Sequence, residues 1–311
     1  MGEKKTKSTI ILTIVGFLSV LIIVFPLLVV FLGSFKDAPE AQAFNLALPS
    51  SWHFDNYKVV IEKGNMGQAF INSMIITVIV TVFVVVAGSL NAFVVSRKKS
   101  RYTSFVYYLF LLGMISPIQI VTTYGLLQML HLTGTFVGVI CVELALQLPW
   151  TIFTLSGFIK SVPKELDEAA YIDGASPLTM FFKIIFPLLK PIMATVVVTT
   201  AMGAWNEFMV PLYFFNSSSK WTMPLTVYNF FGQYSSNWNY VFADLVLTAL
   251  PITILYLICQ KHVVGTTAGA VKGLFCIFNI NLQERKYVSI QTSTFRFSYL
   301  RVHSWNRKCI R

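Results

Sequence analysis

Six runs of apolar residues alternate with short polar stretches along this chain. The first, residues 10–32, carries no charge and follows a basic start containing Lys4, Lys5 and Lys7. Further runs cover residues 69–95, 102–127, 135–158, 188–210 and 241–259. About 20 apolar residues at helical rise cross a hydrocarbon core, so each run predicts a membrane-spanning helix. Ser116-Pro117 interrupts the third, which predicts a break whose freed carbonyls must be satisfied by neighbours. Ala41-Gln42-Ala43 is similar to a signal-peptidase site. The apolar run before it is long for a signal sequence, so the pattern predicts an uncleaved signal-anchor helix. Residues 35–67 and 216–240 are polar and aromatic, and predict outer loops with some order.

Composition agrees with this pattern. Hydrophobic residues make up 55% of the chain and charged ones 12%, and the mean hydropathy is +0.67. Those values predict an all-α integral membrane protein rather than a soluble one. A net charge of +11 invites a nucleic-acid partner, but the basic residues sit in short clusters beside the apolar runs. Arg97-Lys98-Lys99-Ser100-Arg101 is the densest, followed by Lys160 with Lys164 and by Lys261. Positive charge placed this way marks cytoplasmic turns. It predicts six spans, both termini inside the cell, a location in the cell membrane and no nucleic-acid partner.

The chemistry of an enzyme is missing. The chain has no phosphate-cradling G-x-x-x-x-G-K-[ST] loop, no nucleophile–base set and no metal-ligand spacing. The four cysteines suggest no disulfide framework, and Cys141 and Cys259 read as buried, inert thiols. We therefore expect no cofactor or metal on this chain, and any driving energy to come from a partner.

Residues 161–191 are the polar stretch on which the rest turns. Pro163 suits a helix start. Leu166, Ala169 and Ala170 would share one face, with Glu165 and Glu168 turned away. Gly174 would end this helix, and Ser176-Pro177 would begin another as N-cap and N1. The prediction is a helix–turn–helix handle over residues 161–187.

Glu168-Ala169-Ala170, Gly174, Ile184 after nine intervening residues, and Pro187 together resemble the EAA loop of ABC importer permeases. Phe186 stands where leucine is usual, an apolar change. Ala204-Trp205-Asn206-Glu207-Phe208 and the TAGAVKG run at residues 267–273 are similar to stretches in carbohydrate-uptake permeases. From about residue 10 to 273 the chain resembles the second permease subunit of a maltose or multiple-sugar importer. That resemblance implies a second permease subunit, cytoplasmic ATP-binding subunits that bind the ATP, and an extracytoplasmic solute-binding protein. It implies an ATPase-coupling role for Glu168, Ala169, Ala170 and Gly174. Asp173 would either cap the turn or pair with the partner. An importer of an amino acid, peptide or polyol is the nearest alternative, and a stand-alone channel or secondary carrier a more distant one.

Acids within the apolar runs are costly and point to function. Glu143 with Gln147 one turn on is the deepest polar stripe, and Asn206 with Glu207 the next; these four are the candidate solute pathway. Asp244 lies near the end of its run and reads as solvated. Residues 274–311 carry seven Lys or Arg against one acid and no apolar run. They read as an addition outside the fold, such as a frameshift or read-through product, rather than a lipid-touching domain.

Overall fold

The computed structural model describes residues 2–98, 100–231 and 237–260, with side chains from residue 13 onward. The basic start, Lys261 and residues 274–311 lie outside the side chains or residues described, and so do the expectations that fall on them.

The described residues form helices and no strand. Helix α1 is Gly2–Gly33, followed by a short α2, Ala38–Ala41, and by α3, Asp55–Lys63. Helix α4 runs Met66–Arg97 and α5 Arg101–Ile115; α6 is Ile120–Met129 and α7 Phe136–Ser161. The handle is α8, Glu165–Ile172, then α9, Pro177–Met180, a π turn at Phe181–Ile185 and α10, Phe186–Leu188. Helix α11 is Lys190–Asn206, α12 Met209–Phe214 and α13 Trp238–Gln260.

Four of these helices are long and apolar enough to cross a membrane: Thr13–Gly33, Met66–Arg97, Phe136–Ser161 and Trp238–Gln260. The bent pair Pro177–Leu188 and Lys190–Asn206 makes at most a fifth. Two expected spans therefore differ from the prediction. Residues 102–127 are not one helix: α5 stops at Ile115 and α6 starts at Ile120, because Pro117 offers no N–H to continue the ladder. Residues 188–210 are likewise divided. The chain turns by 81° at Leu189, where Pro187 and Pro191 remove two backbone donors, and α11 ends at Asn206.

Helices α4 and α7 form the centre and run side by side in the same direction. At their C-terminal ends Ser96 Oγ donates to the Ser156 carbonyl at 3.3 Å. Halfway along, Gly88 lets the backbones approach, since a Cβ there would collide with Thr151. At the N-terminal ends, Asn72 Nδ2 donates to the carbonyls of Ser219 and Trp221, and Lys220 Nζ to that of Gly134. Two parallel neighbours require the chain between them to return, so α5 and α6 together carry it back along the bundle. Helix α11 returns in its turn, from a buried cluster with Ala92, Leu155 and Ile159 to Trp205, which packs with Met66 and Met223.

The bundle thus has a handle end and a loop end. A middle cluster of Ile76, Val80, Val84, Val139, Val142 and Phe214 lies between them. Most of α1, from Thr13 to Leu28, is uncovered.

Candidate functional site

Local chemistry builds the handle as its residues predict. Gly174 adopts φ +75°, a left-handed conformation that side chains resist. Nothing lies within 4 Å of a Cβ built there, so backbone conformation rather than space calls for glycine. Ser176 then caps α9, its Oγ accepting from the Thr179 N–H at 3.2 Å, with Pro177 in the first turn. Pro163 lies just ahead of α8, which begins at Glu165.

The face of α8 differs from the expected one. Ala170 is buried, whereas Ala169 and Leu166 are exposed together with Glu165 and Glu168. Asp167, three residues before Ala170, also turns inward, toward Arg97 at the end of α4. Arg97 Nε lies 2.7 Å from Asp167 Oδ2. Tyr171 and Ile172 stand 77% and 83% exposed, an apolar surface suited to a partner. Asp173 is the C-terminal cap residue of α8 through its backbone; its exposed carboxylate has no partner among the described residues. Pro187 is exposed beside Phe186, and Ile185 and Leu189 around it are fully buried.

Glu143 is buried to 1% exposure in α7; the Gln147 amide interacts with its carboxylate, but neither oxygen has a well-aligned hydrogen bond among the described residues. Gln147, one turn on, rests over Gly203 of α11: a Cβ at Gly203 would collide with its Nε2. Glu207 lies close enough for its charge to act on Glu143. The structure therefore brings Glu143, Gln147 and Glu207 to one place between α7 and α11. Asn206 is exposed at the last position of α11. Glu207 is half-buried and also has a local task. Its Oε1 accepts from the N–H groups of Met209 and Val210, at 2.8 and 3.1 Å, and so caps α12.

Two readings from the sequence change. Asp244 is not solvated: it is 1% exposed and accepts from Thr226 Oγ1 at 2.7 Å. Cys141 is not buried but lies on an uncovered face of α7.

Sequence reasoning missed Arg97, which it took only as part of a basic turn, and two buried asparagines. Asn72 holds the 219–221 segment, and Asn56 Nδ2 donates to the carbonyls of Ser34 and Lys36, each at 2.9 Å. An amide inside an apolar helix is the signal that could have found Asn72.

Residues 84–267 match the family described as the binding-protein-dependent transport system inner membrane component. The chain belongs to that family. It is 40% identical over 269 residues to the multiple sugar-binding transport system permease protein MsmG of Streptococcus mutans, covering 85% of this chain and 95% of that protein. It is 33% identical to the melibiose/raffinose/stachyose import permease protein MelC of Bacillus subtilis, covering 88% of this chain and all of that one. The fold is shared with a bacterial ABC transporter for import of the acidic polysaccharide alginate, at TM-score 0.70 and 20% identity over 84% of this chain and 98% of that one. The chain is thus a multi-pass membrane component of a transport system.

Proposed function

We propose that this chain is the permease subunit of an ATP-driven sugar importer, coupled to a cytoplasmic ATPase through its handle. The observation that carries the reading is α8 with its Gly174 turn, set outside the bundle with Ala169, Tyr171 and Ile172 uncovered. An apolar surface on a polar loop fits a partner, and sugar-import permeases are the relatives that match nearly the whole chain.

In this reading α1, α4, the α5–α6 pair, α7, the handle-bent α11 and α13 make six crossings, in alternating directions. The handle end faces the cytoplasm, in keeping with Arg97 to Arg101 and Lys160, and both chain termini lie on that side. Residues 1–273 form the permease unit. A second permease subunit completes the pathway, ATP-binding subunits hold and hydrolyse the ATP, and an extracytoplasmic binding protein delivers the sugar.

Glu168, Ala169, Ala170, Asp173 and Gly174 shape the docking helix, and Pro187 sets the bend that joins it to α11. When the ATPases close, the handle shifts and α11 shifts with it, through Phe181, Ile185 and Leu189 in their shared cluster with α4 and α7. Such movement of packed helices alternates the access of a site between them. Glu143, Gln147, Asn206 and Glu207 would line that site, where paired acids and amides suit hydroxyl-rich solutes.

Purification in mild detergent, with mass spectrometry of every co-purifying chain, tests the proposal. Wild type is expected to bring down an ATPase and a second permease, and Gly174→Pro to lose the ATPase alone. Recovery of the chain with no ATPase in either case would sink it.

A further inference from the structure

We propose that Arg97 is a positioning residue that fixes the handle rigidly to α4 and α7, so that displacement of α8 is delivered to the bundle. The inference rests on the coupling reading and goes beyond it by naming what transmits the movement.

Arg97 is the last residue of α4, and one guanidinium reaches two other elements. Its Nε lies 2.7 Å from Asp167 Oδ2 in the first turn of α8, an ion pair without hydrogen-bond alignment. Its Nη1 and Nη2 donate to the Val162 carbonyl at 3.2 and 3.1 Å, and Val162 is the residue that ends α7. The two charged side chains are only 11% and 17% exposed, so water screens them little. Arginine fits this task because its planar fork addresses several acceptors at once, whereas lysine offers a point charge. Asp167 also gains from the positive end of α8.

Geometry makes this contact decisive. The far side of the handle is held by Phe181, Ile185 and Leu189 in their buried cluster. The near side joins α7 only through residues 162–164, which are not helical. Among the described residues, the Arg97–Asp167 pair is the one ion pair. Without it, a push on α8 would be absorbed by bending of residues 162–164 and turning about the far cluster. With it, α8 and the ends of α4 and α7 move as one body. Neither residue belongs to the exposed surface of α8, so removing the pair leaves the docking surface intact.

The test uses the assembled importer in nanodiscs, with native cysteines replaced by serine and spin labels at Glu165→Cys on α8, outside the Ala169, Tyr171 and Ile172 surface, and Val94→Cys on α4. Pulsed electron resonance would read their separation at rest and after trapping with ATP and vanadate. The expected result is one narrow distance, equal in both states, for the otherwise wild-type chain. Arg97→Ala and Asp167→Asn should each broaden it, and shift it on trapping by roughly one helical turn, about 5 Å. Combining the two should add nothing further. Arg97→Lys should lie between, and the exchange of Arg97→Asp with Asp167→Arg should narrow the distribution again.

ATPase co-purification, measured alongside, should be unchanged in every one of these variants. An unchanged narrow distance in Arg97→Ala overturns the tether, as does loss of assembly in all variants including the exchanged pair, which would mark a merely structural role. Failure of the coupling reading looks different: Gly174→Pro would then keep its ATPase, whatever the label distances show.

Discussion

The two ends of the α4–α7 pair are fastened by different chemistry. At the loop end, amides and hydroxyls, joined by the Lys220 ammonium on the Gly134 carbonyl, do the fastening and many share it. Asn72 holds two carbonyls, Ser73 Oγ accepts from the Met223 N–H at 2.8 Å, Asn56 holds two more carbonyls, and Asn239 donates to Asn56. At the handle end one arginine and one aspartate hold the near side of α8, and apolar packing holds the far side. Distributed hydrogen bonds resist displacement in every direction, because losing one leaves the rest. A single forked contact beside a bend defines one body and one hinge. The comparison teaches that the loop end is built to stay put, while the handle end has the build that the proposed coupling requires.

The largest expected effect breaks the handle without touching the loop end. Gly174→Pro cannot adopt φ +75° and should abolish ATPase retention. Gly174→Ala, strained by about 1–2 kcal/mol, should weaken retention, and Gly174→Asn should come nearest to wild type. Pull-down yields rank the series, and equal retention in all three would show that the turn does not matter.

Next comes the reverse experiment. Asn72→Leu strips partners from two carbonyls and should destabilise the protein by about 2 kcal/mol, lowering its thermal midpoint in detergent by about 5 °C. ATPase retention should stay at the wild-type level. Loss of the ATPase in this variant would mean that the two ends are not separable.

These two residues also show how much was legible beforehand. Gly174, Ser176 and Pro177 announce their turn because backbone conformation and capping are local properties, decided within four or five residues. The run lengths foretold α4, α7 and α13 for the same reason. Asn72 and Arg97 act on partners about 150 and 70 residues away, and no local pattern encodes such a pairing. The inward turn of Asp167 was hidden for that reason. The meeting of Glu143, Gln147 and Glu207 was half visible: the acids stood out in apolar runs, but only packing of α7 on α11 through Gly203 brings them together.

A smaller effect separates the two tasks of Glu207. Glu207→Ala removes the cap of α12 and should cost about 1 kcal/mol, whereas Glu207→Gln keeps an oxygen for the Met209 and Val210 N–H groups and should be nearly as stable as wild type. If Glu207→Gln is stable but slow in uptake of labelled sugar, the charge serves the pathway. Equal uptake by both would confine Glu207 to capping.

The smallest effect lies at the loop end. Burial raises the Tyr57 phenol above its ordinary value near 10, opposed in part by its hydrogen bond with Ser34. A phenol that keeps its proton in the folded state, above the pH at which the unfolded chain loses it, favours unfolding as pH rises past 10. Wild type should therefore lose stability relative to Tyr57→Phe in that window and not below it, as thermal midpoints on a pH series would reveal.

The π turn at Phe181–Ile185 sets the angular phase of the handle. Such a turn holds one residue more than the α-helix around it, and one residue of α-helix corresponds to about 100° of rotation. Deleting a single residue there would let the segment rewind to a regular helix and swing α8 about its axis relative to α11, carrying Ala169 and Ile172 to another bearing. The bearing of the exposed α8 surface is thus indexed by that one extra residue.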